Sequence, residues 1–358
     1  MNSNFDINNL VMDNIKQLYP YLSARKEYRF NQKAIFLDAN ENSFGSPLSS
    51  LNSYHRYPDP LQIELKHKIA EIKNISYSKI FLGNGSDEII DIIYRIFSQP
   101  MRDNSIIFPP TYGMYEVSGK IHGVDVIKVS LIKETYQLNI KQIIKNINSN
   151  SKIIFICSPN NPTGNNLKKE DIETIIEKFN GIIVLDEAYI DFSNQESFYK
   201  KIDKYPNLII LHTLSKSWGL AGLRIGIAIA SEAIIQWMNK IKSPYNINKI
   251  SQQLAIQALE NKDLFFYNLK KIISERNYMS LALQTIPIVH KVYPSDANFL
   301  LVQLSCSTNK FYKYLLKHNI IVRDRSQIAL CNNCLRITIG TNEENKYLIK
   351  QMQQYEYK

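Results

Sequence analysis

Four stretches of this chain, KIIFIC (152–157), GIIVL (181–185), LIIL (208–211) and RIGIAIA (224–230), run apolar with almost no interruption. A strand with one wet face alternates apolar and polar residues, so strands built from these stretches must be covered on both faces. IFL (80–82), SIIF (105–108) and VDVIKV (124–129) read as further strands. Helical spacing separates several of them, as in LQIELKHKIAEI (61–72) and SDEIIDIIYRIF (86–97). The alternation predicts an α/β fold, a mostly parallel sheet sandwiched by helices. Beyond about residue 245 the pattern changes to two long helical stretches, near 247–260 and 262–285. NFLLV (298–302), a helix near 308–318, IIVRD (320–324), LRITI (335–339) and a last helix follow, which reads as a smaller α+β domain. Residues 1–33 read as a polar arm containing the compact motif PYLSAR (20–25).

Ligands of an open parallel sheet bind beyond the carboxyl ends of its strands. GNGSDE (83–88) follows one strand and opens a helix, which makes it either a capped helix or an anion site built from free N–H groups. PPTYGMY (109–115) follows the next and places Tyr112 at the same edge, as a buried structural tyrosine or a ligand contact. SPNNPTGN (158–165) is stiffened by two X-Pro bonds and would hold Asn161 in one orientation. DEAYIDF (186–192) puts Asp186 where an apolar run ends, a costly place for a carboxylate unless it caps a helix or meets a cation; Tyr189 lies just beyond. HTLSKSWGLAGLR (212–224) supplies the hydroxyls of Thr213 and Ser215, the amine of Lys216 and the guanidinium of Arg224. Lys216 is either a surface cation or an amine made nucleophilic by burial and a neighbouring charge.

The formal net charge of +10 raises the question of nucleic acid, but the lysines are scattered and no dense basic block exists. A solvated surface is the expectation. CNNC (331–334) has redox or metal spacing without a second pair to complete a zinc site, so a turn carrying two thiols is expected and no metal. No apolar run approaches the ~20 residues that span a bilayer. The start, MNSNFDINNL, lacks the marks of a signal peptide, which makes the cytoplasm the default.

One ligand reconciles the strand-end residues. Pyridoxal phosphate needs an amine for its aldehyde, a carboxylate for its ring nitrogen, neutral donors for its phenolate oxygen, and hydroxyls, N–H groups and an arginine for its phosphate. Lys216, Asp186, Asn161 with Tyr189, and Ser86, Ser215 and Arg224 fill those roles in turn.

With these motifs in place, the chain resembles the class II, fold-type I aminotransferases that depend on pyridoxal phosphate. SPNNPTG, DEAY and TLSK with the later arginine are widespread among them, whereas PYLSAR, RYPDP (56–60) and PPTYGMY narrow the likeness to the histidinol-phosphate branch. The likeness extends from PYLSAR to CLRITIGTNEE (334–344). It implies a seven-stranded sheet in a large cofactor-binding domain at 46–245. An arm with part of the small domain would occupy 1–45, and the small C-terminal domain 246–358.

It further implies that Lys216 bonds the cofactor and shuttles the proton, with Asp186 and Tyr189 as its catalytic partners. Tyr112 would stack on the ring, and Gly85, Ser86, Asp87, Thr213, Ser215 and Arg224 would surround the phosphate. Tyr57 would reach the cofactor of a partner subunit, so a homodimer is implied. Tyr21, Asn161, Arg323 and Arg336 would hold the substrate; from the residues alone, Arg323 could equally pair with Asp324 at the surface. The implied reaction exchanges an amino group between L-histidinol phosphate and 2-oxoglutarate, run in reverse in histidine biosynthesis. An aromatic or broad aminotransferase, a threonine-phosphate decarboxylase and a basic nucleic-acid binder are the alternatives. Ile227 stands where the family often has an aromatic residue.

Overall fold

The computed structural model describes residues 6–20, 35–48 and 54–355. Two sheets organise them. The strands of the first are β1 (Ile80–Asn84), β2 (Asn104–Ile107), β3 (Asp125–Lys128), β4 (Ser151–Cys157), β5 (Ile182–Asp186), β6 (Leu208–Thr213) and β7 (Ile225–Ile229). Their spatial order is β1-β7-β6-β5-β4-β2-β3. All pairings from β3 through β6 are parallel, while β7 runs antiparallel to both its neighbours, β6 and β1.

The helices are α1 (Asp13–Gln17), α2 (Ile63–Lys73), α3 (Ser86–Phe97), α4 (Met114–Ile121), α5 (Ile140–Asn146), α6 (Lys169–Lys178), α7 (Glu232–Ile241), α8 (Lys249–Glu260), α9 (Lys262–Gln284), α10 (Thr308–Lys317) and α11 (Asn342–Gln354). The uninterrupted apolar strands are explained by two cores on opposite faces. Ile154 and Ile156 of β4 pack with Ile183 and Leu185 of β5 toward α2, α5, α6 and α8. Their neighbours in sequence, Ile153, Phe155, Ile182 and Val184, pack toward α3, α4 and α7. Successive residues of a strand point to opposite faces, so both sets must be apolar. Each fully buried side chain of this size contributes about 1.5–3 kcal/mol.

The second sheet, ordered β10-β11-β9-β8, is antiparallel throughout and consists of β8 (Val289–Val292), β9 (Phe299–Leu304), β10 (Arg323–Asp324) and β11 (Cys334–Thr338). One face buries Leu300, Val302, Leu335 and Ile337 against α9, α10 and α11. The last of these helices begins at a capping box in which Thr341 Oγ1 accepts the Glu344 N–H (3.3 Å) and Glu344 Oε2 accepts the Thr341 N–H (2.7 Å).

Three features differ from the sequence reading. β8 has no counterpart in it, because VHKV offers only two β-branched residues and is partly exposed. IIVRD contributes only Arg323–Asp324 as strand. The beginning of the arm is less polar in effect than in composition. Ile7 and Val11 are buried with α3 and α7, the Met12 N–H bonds Ile96 O (2.9 Å), and Trp237 Nε1 donates to Asn8 Oδ1 (3.1 Å). Among the described residues no helix is long and apolar enough to cross a membrane.

Candidate active site

A cavity of about 490 Å³ opens at the carboxyl ends of β4, β5 and β6. Its walls bring together Ser86, Asp87, Tyr112, Asn161, Asp186 and Tyr189 with Thr213, Ser215, Lys216, Arg224, Arg323 and Arg336, twelve residues singled out from sequence. They arrive from segments up to 250 residues apart (Ser86 to Arg336).

Asp186 ends β5 at the middle of the sheet and is only 4% exposed. One carboxylate oxygen accepts the Ala188 N–H at 3.0 Å, the Asx geometry that starts the following turn. The other accepts the Tyr115 hydroxyl at 2.6 Å. Burial raises the carboxyl above its usual range, against the opposing pull of Tyr115, the Ala188 N–H and Lys216. A buried carboxylate of this kind is strongly disposed to take a cation. Tyr115 is fully buried, stacked on Phe155 with centroids 4.8 Å apart, and its own hydroxyl is raised well above the ordinary tyrosine value, chiefly by burial.

Lys216 projects from a turn held by the Gly219 N–H to Lys216 O bond (3.1 Å) and the Leu220 N–H to Leu214 O bond (3.0 Å). Ser217 beside it hydrogen-bonds Asp191, which ties this turn to the segment after β5. The amine is half-buried, 5.7 Å from the centre of the Tyr189 ring. Burial lowers its pKa first, Arg336 and Arg224 lower it further, and Asp186 partly opposes them. It therefore sheds its proton more readily than a surface lysine, as a nucleophile and base must.

Tyr189 packs edge-on against Phe299 (5.1 Å), and its hydroxyl accepts a long hydrogen bond from Asn161 Nδ2 (3.5 Å). Asn161 Oδ1 in turn accepts from Arg336 Nη1 at 2.5 Å, so one amide orients both the tyrosine and the arginine. Tyr112 lies across the cavity and donates to Asp87 Oδ1 (2.8 Å).

The polar corner beneath α3 depends on β7 running backwards. Because β1 and β7 are antiparallel, the chain entering β7 meets the chain leaving β1, and the Gly85 N–H bonds Arg224 O at 2.8 Å. Gly85 has φ +78° and a Cβ there would strike the Arg224 guanidinium. Gly226 is equally constrained: its Cβ would lie 2.5 Å from the backbone of Gly85 and Ser86. Thr213 Oγ1 accepts the Ser215 N–H (3.1 Å), and Arg224 reaches Asp87 at 3.5 Å. Hydroxyls, a helix N-terminus and a guanidinium thus converge on one volume, an arrangement suited to a phosphate that competes with Asp87 for Arg224.

Arg336 also lies over the Phe299 ring (5.3 Å). The surface pairing of Arg323 with Asp324 is absent, since Asp324 Oδ1 accepts the Ser326 N–H at 2.8 Å and no ion pair joins the two. Gly85 shapes the corner without lining the cavity. Tyr57 lies outside its own chain's cavity, half exposed and stacked on Tyr245 at 4.5 Å. Tyr21, with most of PYLSAR, falls outside the described residues. Among the lining or supporting residues that were not foreseen are Tyr115 and Arg325. The only available signals were Tyr115's place in PPTYGMY and the alternation of Arg323 and Arg325 along one strand. CNNC forms a turn, with the Cys334 N–H bonded to Cys331 O (3.0 Å), and burial pushes the thiols up to about 11 for Cys331 and about 12 for Cys334.

The donor set fits pyridoxal phosphate: an amine of lowered pKa, a buried carboxylate that needs a cation, amide and phenol donors, and an anion corner. Comparisons with known proteins agree. The family model "Aminotransferase class I and II" matches residues 26–352. The chain is 51% identical over 348 residues to a histidinol-phosphate aminotransferase of Flavobacterium psychrophilum, covering 97% of this chain and 98% of that one. It superposes on the histidinol-phosphate aminotransferase of Clostridium acetobutylicum with a TM-score of 0.77 at 28% identity, over 84% of this chain and 90% of that chain. The fold is shared by the Sinorhizobium meliloti enzyme of the same name, solved in complex with pyridoxal-5'-phosphate, at a TM-score of 0.78 and 22% identity, over 88% and 89% of the two chains.

Proposed function

From the premise that this chain belongs to the class I and II aminotransferases, on their histidinol-phosphate branch, we propose that it transfers the amino group between L-glutamate and imidazole-acetol phosphate in the cytoplasm, giving L-histidinol phosphate and 2-oxoglutarate. The observation that carries the reading is the pairing, in one cavity, of a lysine amine of lowered pKa with a carboxylate buried at the centre of the sheet. Pyridoxal phosphate, when bound, supplies the electron sink that lets an amino acid surrender its α-proton.

The rest is the work of this chain's residues. Lys216 Nζ would hold the cofactor through its aldehyde carbon, and as a free amine it would take the substrate's α-proton and deliver it to that same carbon. Asp186 holds a negative charge opposite the ring nitrogen, fixed by Tyr115 and the Ala188 N–H so that it cannot turn away. Asn161 and Tyr189 orient the phenolate side, and Tyr112 covers a ring face. Ser86, Thr213, Ser215 and Arg224, with the backbone around Gly85 and Asp87, hold the phosphate. Arg323 and Arg336 take the anionic end of either substrate, with Asn161 setting the angle of Arg336. The half-exposed Tyr57 supports a homodimer in which it reaches the neighbouring subunit's site.

Steady-state kinetics test the substrate. The specificity constant for histidinol phosphate with 2-oxoglutarate is expected to exceed those for phenylalanine and tyrosine by about tenfold or more, since one charge-assisted hydrogen bond is worth at least that. A higher value for the aromatic acids makes the chain an aromatic aminotransferase. Carbon dioxide release from threonine phosphate makes it a decarboxylase.

A further inference from the structure

The small sheet carries three arginines on one face. β10 pairs with β11 so that Arg323 sits directly opposite Arg336. The ladder continues past β10, with the Arg325 N–H bonded to Cys334 O at 2.9 Å. Side chains alternate along an extended chain, so Arg323 and Arg325 share a side and Asp324 takes the other. Leu335 and Ile337 face the small-sheet core, which turns Arg336 between them toward the cavity. All three arginines line it.

Like charges directly opposite one another in a sheet destabilise it unless something offsets them. Among the described residues no carboxylate forms an ion pair with any of the three; Asp324, whose Oδ1 accepts the Ser326 N–H, offsets Arg325 only in part and through space. The Nε atoms of Arg325 and Arg336 are both buried and without a hydrogen-bond partner. Burial and then the neighbouring Arg323 lower the pKa of Arg325. Buried donors of this kind are costly to leave unmade, and a guanidinium accommodates an oxyanion through two parallel bonds.

We infer that Arg325 is a third cation of the substrate-anion site and sets its preference for a doubly charged phosphate ester over a singly charged carboxylate. The identity of the ester as histidinol phosphate rests on the amino-transfer reading above; the role of Arg325 toward phosphate does not. Two arginines suffice to neutralise the carboxylate of glutamate. A phosphate monoester carries between one and a half and two charges near neutral pH, so a further guanidinium adds more to the ester than to the carboxylate. Its contact is also charge-assisted on both partners.

The holoenzyme tests this through two readouts on the wild type, Arg325→Gln and Arg325→Lys. In the first, inorganic phosphate competes with glutamate in a single half-reaction followed by cofactor absorbance. In the second, KM is measured for histidinol phosphate and for glutamate. Arg325→Gln should weaken inhibition by phosphate about tenfold and raise KM for histidinol phosphate about tenfold more than KM for glutamate. Arg325→Lys should recover part of both. Equal losses on the ester and on glutamate, or undiminished inhibition by phosphate, would overturn the assignment. A wild type that ignores histidinol phosphate refutes the functional reading alone, and inhibition by inorganic phosphate then decides Arg325.

Discussion

Lys216→Ala should fold, bind pyridoxal phosphate without bonding it, and lose turnover by about four orders of magnitude, the upper end of what one proton-transferring group contributes. Folding is spared because, among the described residues, Lys216 makes no hydrogen bond through its amine and the turn around it is held by backbone bonds and by Ser217 with Asp191. The measurement is the single-turnover rate with glutamate, followed by cofactor absorbance, alongside a thermal unfolding curve. A small added amine should restore part of the rate, since it can move the same proton. Near-normal turnover with no amine supplied would remove Lys216 from the reaction. The pH profile of the wild type carries the same argument. Burial and the charges of Arg336 and Arg224 lower the amine's pKa, so at any pH below the ordinary lysine value more of it is neutral. Loading of the cofactor onto the protein should therefore accelerate as pH rises and level off below 10.5, the value of an unperturbed lysine. Arg336→Met, with one of those cations removed, should move the levelling to higher pH.

Most of the cofactor residues that could be read from sequence share one property: each ends or follows the strand that positions it. Asn161 follows β4, Asp186 closes β5, and Thr213 and Lys216 lie at and beyond the end of β6, so a rule about carboxyl ends finds them without knowing strand order. Arg224 violates that rule, because it precedes β7 and reaches the same edge only because β7 runs antiparallel. Its assignment rests on the phosphate's need for a guanidinium and not on a place after a strand. Arg325 and Tyr115 were beyond both. The first depends on the register between β10 and β11, which two short strands do not encode locally. The second acts through Asp186, 71 residues away, and looks like any buried aromatic of a helix. The helical and strand periods thus delivered the scaffold and its edge, while pairing direction and register, set by tertiary packing, decided which charges meet there.

Asp186→Asn should show two effects of opposite sign. Asparagine has the same shape: its one oxygen can still accept the Ala188 N–H, and its NH2 can donate to the Tyr115 hydroxyl oxygen in place of the bond that hydroxyl now gives, so the sheet loses no packing at the end of β5. In the cofactor-free protein the native carboxylate is held above its usual pKa by burial. A raised folded-state pKa means that the folded protein holds this proton more tightly than the unfolded chain does, and stability falls as pH climbs from 3.8 through the folded value. Above the folded value that penalty is fully present, and the neutral amide does not incur it. The cofactor-free variant should accordingly unfold at the same temperature as the wild type or higher. In the holoenzyme the sign reverses. The carboxylate is then the partner of a cationic ring nitrogen in a buried site, and removing one member of such a pair costs about 3–5 kcal/mol, or roughly two to four decades in rate. Turnover with glutamate should fall by that factor and cofactor affinity should weaken. Tyr115→Phe removes only the 2.6 Å bond that fixes the carboxylate, so its loss should be smaller, about tenfold, with the absorbance of the bound cofactor shifted in the same direction as in Asp186→Asn. Turnover of Asp186→Asn within tenfold of the wild type would mean that the buried charge serves the sheet and not the chemistry. A cofactor-free variant that melts well below the wild type would show that asparagine had disturbed the end of β5 as well.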